Sequence, residues 1–173
     1  MSEDTVYTPT QTCGPLFGFA MLPKGITEVP VPEGKRPLHL SIDIFDGEGN
    51  HLDYGAWVEL WDATQACRVR TLAGKISTTM IWPEPRRLGD GTVLAPQINV
   101  ILVTRGLAQP LATKIFMPGT PELAADPIWN SVPEERRHLM LARPRDDGFH
   151  FVWKLQGEDE NPIFDLYQDN DHD

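Results

Sequence analysis

Proline and glycine interrupt this chain at intervals too short for long helices. The sequence holds 16 proline and 14 glycine residues among 173. Proline lacks a backbone N–H and glycine favours turns, so both residue types end regular segments. The segments left between these breaks have the length of β-strands. We therefore expect an all-β protein whose strands are joined by irregular loops.

Residues 38–45 form the clearest strand pattern. Apolar and polar residues alternate along this segment, which predicts one face toward a core and the other toward solvent. The turn-forming run DGEGN follows at 46–50. Residues 56–61 then form the expected return strand, and their apolar residues on both faces are typical of a sandwich interior.

Three later segments add strands, and one adds a helix. The apolar run at 98–104 predicts a central strand, and shorter runs at 113–117 and 150–155 predict two more. This spacing is typical of a β-sandwich. One short helix is expected at 131–142, since the segment SVPE at its start fits a capping box with proline in the first turn.

The chain is expected to form a single domain over residues 1–173. It shows no internal repeat and no linker that would divide it. An N-terminal arm is expected at about 1–36, because its 22–36 portion is rich in proline and glycine. The tail from about 158 to 173 is acidic, so we expect it to be solvated.

Charge and hydropathy exclude several classes of function. The 15 lysine and arginine residues face 25 acidic residues, a net charge of −10, and this argues against nucleic-acid binding, which needs a basic face. No apolar run approaches the ~20 residues of a membrane span. The acidic N-terminus does not resemble a secretory leader, so a cytoplasmic location is expected.

Common catalytic and metal-binding motifs are absent from the sequence. It contains no phosphate-binding loop, no dinucleotide fingerprint, no HExxH helix and no nucleophile elbow. The five histidines have no i, i+2 or i, i+4 spacing, and the two cysteines, Cys13 and Cys67, are too few for a Cys-rich zinc site. A self-sufficient metalloenzyme built from scattered histidine and aspartate residues is therefore the least favoured hypothesis.

A set of longer strings, in order along the chain, carries the most specific signal in this sequence. The strings are TPTQTCGP at 8–15, IDIFDGEG at 42–49, VELWDA at 58–63, APQINV at 95–100, TRGL at 104–107, LATKIF at 111–116 and NPIFD at 161–165. The first resembles the T-P-S-Q-T-x-G-P arm of the α chains of protocatechuate 3,4-dioxygenases, and the others resemble, in order, D-G-x-G, V-E-I-W-Q-A, A-P-H-I-N-I, A-R-G, L-x-T-R-x-Y-F and T-V-F-F-D. The ordered set thus resembles the intradiol ring-cleavage dioxygenases.

This resemblance implies a β-sandwich and bears directly on iron binding. In the family, two tyrosines and two histidines hold a ferric ion, the histidines as H-x-H on one strand. Gln97 and Asn99 stand at those two positions here, and amides are poor ferric ligands. The segments 63–80 and 81–94, which correspond to those bearing the tyrosine ligands, contain no tyrosine. We therefore expect this chain to bind no catalytic iron.

The resemblance to α chains implies a supporting role in the substrate pocket of a partner. Carried over by position, the substrate-binding residues are Thr12, Gly14 and Arg105. Arg105 offers a charged fork suited to a carboxylate, and its strand parity predicts the same side as Gln97 and Asn99. A surface ion pair for Arg105, and a simple docking turn for Thr12 and Gly14, are the alternative interpretations.

The resemblance thus implies an iron-free α-type subunit that is inactive alone. A β subunit would carry Fe(III), and the hetero-oligomer would use O₂ to cleave protocatechuate or a related catechol between its hydroxylated carbons. This chain would shape the pocket and the assembly. The alternative is an orphan, non-catalytic β-sandwich that binds or scaffolds and has lost its dioxygenase partner. The 63–80 segment is shorter than in typical α chains, which bears on the size of the interface.

Overall fold

The computed structural model describes residues 11, 12, 14, 27–52 and 55–165. Within this part of the chain the structure is mostly β, with a few short helical segments. The strands are β1 (Pro37–Phe45), β2 (Trp57–Trp61), β3 (Ala66–Arg70), β4 (Lys75–Ile81), β5 (Arg86–Arg87), β6 (Val93–Leu94), β7 (Gln97–Val103), β8 (Leu111–Phe116), β9 (Arg143–Arg145) and β10 (Gly148–Lys154).

The first sheet has the strand order β4-β1-β10-β9. Strand β1 pairs antiparallel with β4 and parallel with β10. Its predicted alternation is confirmed, because every second residue from Leu38 to Ile44 is at most 1% exposed. Each fully buried side chain of this size stabilises the fold by about 1.5–3 kcal/mol. This inward face therefore fixes the register of β1 against both neighbours.

The second sheet has the order β3-β2-β7-β8, and it corrects one prediction. The 56–61 segment does form a strand, but it does not return along β1. It pairs with β3 and β7 instead. The reason is that β4 and β10 already occupy both edges of β1, so the chain turns at 46–50 and crosses to the opposite sheet. The predicted central position of β7 is confirmed.

The two sheets bury one core between them, as a β-sandwich requires. Side chains from both sheets pack together there, including Ile42 and Trp153 of the first sheet and Leu60 and Val100 of the second. Cys67 is part of this core, and burial raises the pKa of its thiol. Cys67 is therefore a packed apolar residue rather than a nucleophile.

The single helix expected at 131–142 is replaced by shorter pieces. Helix α1 (Pro127–Ser131) ends before Pro133, and helix α2 (Glu134–Arg137) begins after it. Val132 is extended, with φ −91° and ψ 136°, because the residue before a proline is driven out of the helical region. Segments of 3₁₀ helix lie at Pro121–Ala125 and His138–Met140. The predicted capping box is also wrong, since Pro133 precedes α2 without a side-chain cap.

A buried carboxylate caps α1 instead. The Asp126 side chain accepts hydrogen bonds from the backbone N–H groups of Ile128 at 2.8 Å and Trp129 at 2.9 Å. Its second oxygen accepts from the N–H of Ala95 at 2.7 Å. Asp126 is fully buried, so these bonds offset its loss of hydration. They also attach the helical segment to the entry of β7.

Parts of the sequence predictions lie outside the described residues. The arm predicted at 1–36 is described only at 11, 12, 14 and 27–36, and the tail predicted at 158–173 only to residue 165. Cys13 also lies outside. Single-domain organisation over 1–173 stays a prediction. Among the helices of the described part, none is long and apolar enough to cross a membrane.

Candidate functional site

Gln97 and Asn99 project from the same face of β7 and line one cleft. Residues two apart on a strand share a face, and both residues border a cavity of about 500 Å³. The Asn99 Nδ2 donates to the backbone oxygen of Trp61 at 3.2 Å. Gln97 is 9% exposed, and its Oε1 has no hydrogen-bond partner within the described residues. The two positions therefore converge on one cavity, but with amides in place of imidazoles.

Lys114 completes this part of the cleft. It stands opposite Asn99 on strand β8, and its Nζ donates to the Asn99 Oδ1 at 2.5 Å. Burial lowers the pKa of the Lys114 ammonium, and the Asp126 carboxylate opposes that shift. The ammonium engages the Asn99 oxygen and repels any second cation there. The residues at the H-x-H positions therefore do not fit a ferric ion.

Elsewhere in the described part of the chain, titratable side chains do not assemble a metal site either. Within the described residues, no three histidine, cysteine, aspartate or glutamate side chains come together as a candidate metal group. His150 is buried in a polar cluster, with its Nε2 3.2 Å from the Asp43 carboxylate and its Nδ1 3.0 Å from the Arg145 guanidinium. These contacts explain the burial of His150 without a ligand.

Thr12, Gly14 and Arg105 lie on a second surface, at the turn that follows β7. The Gly106 backbone N–H donates to the Thr12 Oγ1 at 2.8 Å. This bond brings the N-terminal arm against the turn that contains Arg105. All three predicted residues are exposed, and a Cβ built on Gly14 would meet no atom of the described residues within 4 Å. The chain itself therefore leaves space around Gly14.

The predicted strand parity of Arg105 is wrong. Strand β7 ends at Val103, and Arg105 lies in the following turn, where Gly106 has a left-handed φ of 88°. Gln97 stands at the opposite end of β7, which spans about 20 Å at the usual rise per residue. Arg105 does not line the cleft of Gln97 and Asn99. A role for Arg105 in a substrate pocket would consequently depend on the outer surface and not on that cleft.

Sequence reasoning missed the basic character of the cleft. Lys114, Arg86 and Arg87 all line it, but Arg86 and Arg87 lie in a segment that matches no motif. The available signal for Lys114 was the LATKIF segment, in which a lysine replaces the arginine of the family pattern. Its approach to Asn99 depends on the β7–β8 register, which the sequence does not reveal.

Comparison with known proteins identifies relatives over nearly the whole chain. The protocatechuate 3,4-dioxygenase alpha chain of Burkholderia cepacia is 26% identical, over 92% of this chain and 97% of that protein. The alpha chain of the same name from Pseudomonas putida is 27% identical, over 92% and 96% respectively. No family model matches the chain.

Solved structures show the same fold. The 3-chlorocatechol 1,2-dioxygenase of Rhodococcus opacus superimposes with a TM-score of 0.56 at 15% identity. The match covers 74% of this chain and 62% of that one, so this chain spans less than two thirds of its length. The chain is thus a homologue of protocatechuate 3,4-dioxygenase alpha chains with the β-sandwich fold of the intradiol dioxygenases, and the predicted resemblance is confirmed.

Proposed function

We propose that this chain is the iron-free, α-type subunit of a protocatechuate 3,4-dioxygenase-like complex. Its partner is a β subunit that carries Fe(III), and the complex cleaves a catechol ring between the hydroxylated carbons with O₂. The homology to alpha chains over 92% of the sequence supports this proposal. So does the amide and ammonium chemistry of the cleft, which does not suit a ferric ion of its own.

The observation that carries the proposal is the contact between the arm and the β7–β8 turn. The 2.8 Å bond from the Gly106 N–H to the Thr12 hydroxyl holds the arm beside Arg105. Arg105 is exposed and has no ion-pair partner among the described residues. An unpaired guanidinium on an acidic protein is available for an anionic group brought by another molecule.

Each of the three residues has a separate task in this proposal. Arg105 binds the carboxylate of the substrate through its planar fork. Thr12 uses its hydroxyl to fix the arm, and Gly14 permits close approach of a substrate or partner backbone because no Cβ stands in the way. The chemistry of oxygen activation belongs to the iron of the partner. This chain binds and orients, and misplacement by ~1 Å can cost ~10²-fold in rate.

The test is recovery of the tagged chain from its own cells grown on an aromatic acid. Native mass and iron content are measured on the purified material. We expect a hetero-oligomer in which iron travels with a second chain that contains an H-x-H strand and two tyrosine ligands. Recovery of this chain alone and without iron would support the orphan module instead. Iron bound to the lone chain would contradict the proposal.

A further inference from the structure

The cleft beside Gln97 and Asn99 is basic in a strongly acidic protein. The chain carries a net charge of −10. Among the described residues that line the cleft, however, four are cationic and two are acidic, namely Lys35, Arg86, Arg87 and Lys114 against Asp62 and Glu84. A local reversal of charge inside a concave site concentrates anions there.

Both acidic residues of the cleft are already engaged. Glu84 accepts from the Lys35 ammonium at 2.9 Å. Asp62 accepts from the backbone and hydroxyl of Thr64 and from the backbone and side-chain amide of Gln65. Neither carboxylate pairs with Arg86, Arg87 or Lys114 within the described residues. Arg87 donates to the backbone oxygen of Gly91 at 3.2 Å, and all three cationic groups stand at the cleft without a carboxylate partner among the described residues.

Lys114 is a half-buried cation at the cleft, and the Asp126 carboxylate offsets the effect of burial on its pKa only in part. Its ammonium has one hydrogen-bond partner in the described part of the chain, the neutral Asn99 Oδ1. Burial lowers the pKa of this ammonium, because removal from water disfavours the charged form. An anion beside Lys114 would restore the lost stabilisation.

The remaining walls of the cleft suit an apolar body. Ile81, Trp82 and Leu94 line it. The Trp82 ring is held in place by the Arg36 guanidinium, 3.7 Å from the ring centroid, and by an edge contact with Phe149 at 5.2 Å. A cavity of about 500 Å³ is in the usual size range for small-molecule sites.

We propose that this cleft binds a small organic anion, with its acidic oxygens toward Lys114, Arg86 and Arg87 and its apolar body against Trp82. The shared chemistry is a carboxylate or phosphate group on a compact apolar frame. The site is separate from the Arg105 surface, since the two lie at opposite ends of β7. The inference is therefore separate from the role proposed for Arg105.

The test is calorimetric titration of the full-length chain with benzoate, phenyl phosphate and benzamide. Benzoate and benzamide have nearly the same shape, but only benzoate is charged. We expect an anion to bind at least ~10-fold more tightly than benzamide, the difference expected for charge-assisted hydrogen bonds. Preference between benzoate and phenyl phosphate then assigns the anionic group. Equal binding of all three probes overturns the proposal. So does the absence of binding of both anions at concentrations up to about 10 mM.

Variants assign the binding to the cleft. Lys114→Met keeps the apolar stem and removes the charge, so anion affinity should fall ~10-fold. The double variant Arg86→Gln and Arg87→Gln removes two exposed charges, so it tests the cleft without changing a buried residue. Lys75→Met on the exposed start of β4 is the matched control and should leave affinity unchanged. Loss of affinity in Arg105→Ala, with none in the cleft variants, would place the anion on the other surface and contradict the inference.

Discussion

The Thr12 hydroxyl accepts a hydrogen bond from the backbone N–H of Gly106 at 2.8 Å, across 94 positions of sequence. The bond joins Thr12 of the N-terminal arm to the turn that follows β7. Arg105 precedes Gly106 directly, so the arm and the guanidinium share one surface. The proposed pocket wall therefore depends on a contact made within this chain.

Replacement of Thr12 by valine should release the arm from the turn. Valine has the shape of threonine but no acceptor, so the Gly106 N–H loses its partner. We expect hydrogen exchange at Gly106 to accelerate by ~5-fold, as loss of roughly 1 kcal/mol of local stability implies. Thr12→Ser keeps the hydroxyl and should exchange as the wild type does. Equal exchange in all three proteins would show that the contact is not formed in solution.

Replacement of Arg105 by alanine should affect carboxylated substrates selectively. In the complex with its partner, we expect KM for protocatechuate to rise by ~10-fold or more, because a charge-assisted bidentate contact is lost. KM for catechol, which lacks the carboxylate, should change less than ~2-fold. Arg143→Ala, an exposed arginine on β9, is the control. The same increase for both substrates would exclude an anion-binding role for Arg105.

The strands were predictable because their signals are local. The alternation at 38–45 and the apolar run at 98–104 both report burial that the structure confirms in β1 and β7. The sheet partner of β2 was not predictable, since it depends on which strand edges remain free after distant segments have paired. The helix prediction failed because Pro133 suits the first turn of a helix but also drives the preceding residue, Val132, out of the helical region.

In the candidate site too, local sequence motifs indicated candidate residues, whereas the contacts between distant residues were not predictable. The motifs alone pointed to Thr12, Gly14 and Arg105. The alternation of side chains along a strand could not locate Arg105, however, because β7 ends two residues earlier, at Val103. The ammonium of Lys114 at Asn99 follows from sheet register, and register is set by long-range burial. Sequence patterns thus indicated candidate positions, while the contacts among them required the fold.

Replacement of Gly14 by valine separates effects on this chain from effects on its partner. A Cβ at Gly14 meets no atom of the described residues within 4 Å, and Gly14 has no left-handed φ, so the thermal stability of the isolated chain should not change. Assembly with the partner or KM of the complex should worsen, because the branched side chain fills the approach. Gly89→Val, equally open, is the control for a new surface valine. Normal assembly and kinetics in Gly14→Val would remove Gly14 from the site.

Replacement of Asp126 by alanine should destabilise the fold substantially. Three backbone N–H groups, those of Ala95, Ile128 and Trp129, lose their acceptor in a buried setting. Loss of a helix cap costs ~1 kcal/mol and unpaired buried donors add more, so we expect a decrease of about 2–4 kcal/mol in the free energy of unfolding. Urea denaturation measures it, with the exposed Asp146→Ala as control. A decrease no larger than in that control would contradict this role.

Restoring histidine at both positions on β7 should not restore an iron centre. In the double variant Gln97→His and Asn99→His, two imidazoles would face the cleft, but the Lys114 ammonium would still stand beside them and repel a cation. The corresponding 63–80 and 81–94 segments also supply no tyrosine. Iron analysis and O₂ uptake with catechol should both stay at background in the isolated chain. Addition of Lys114→Met separates the two causes: iron retained only in that triple variant would show that the ammonium is the main obstacle. Turnover by the double variant alone would contradict the assignment of this cleft as unsuited to iron.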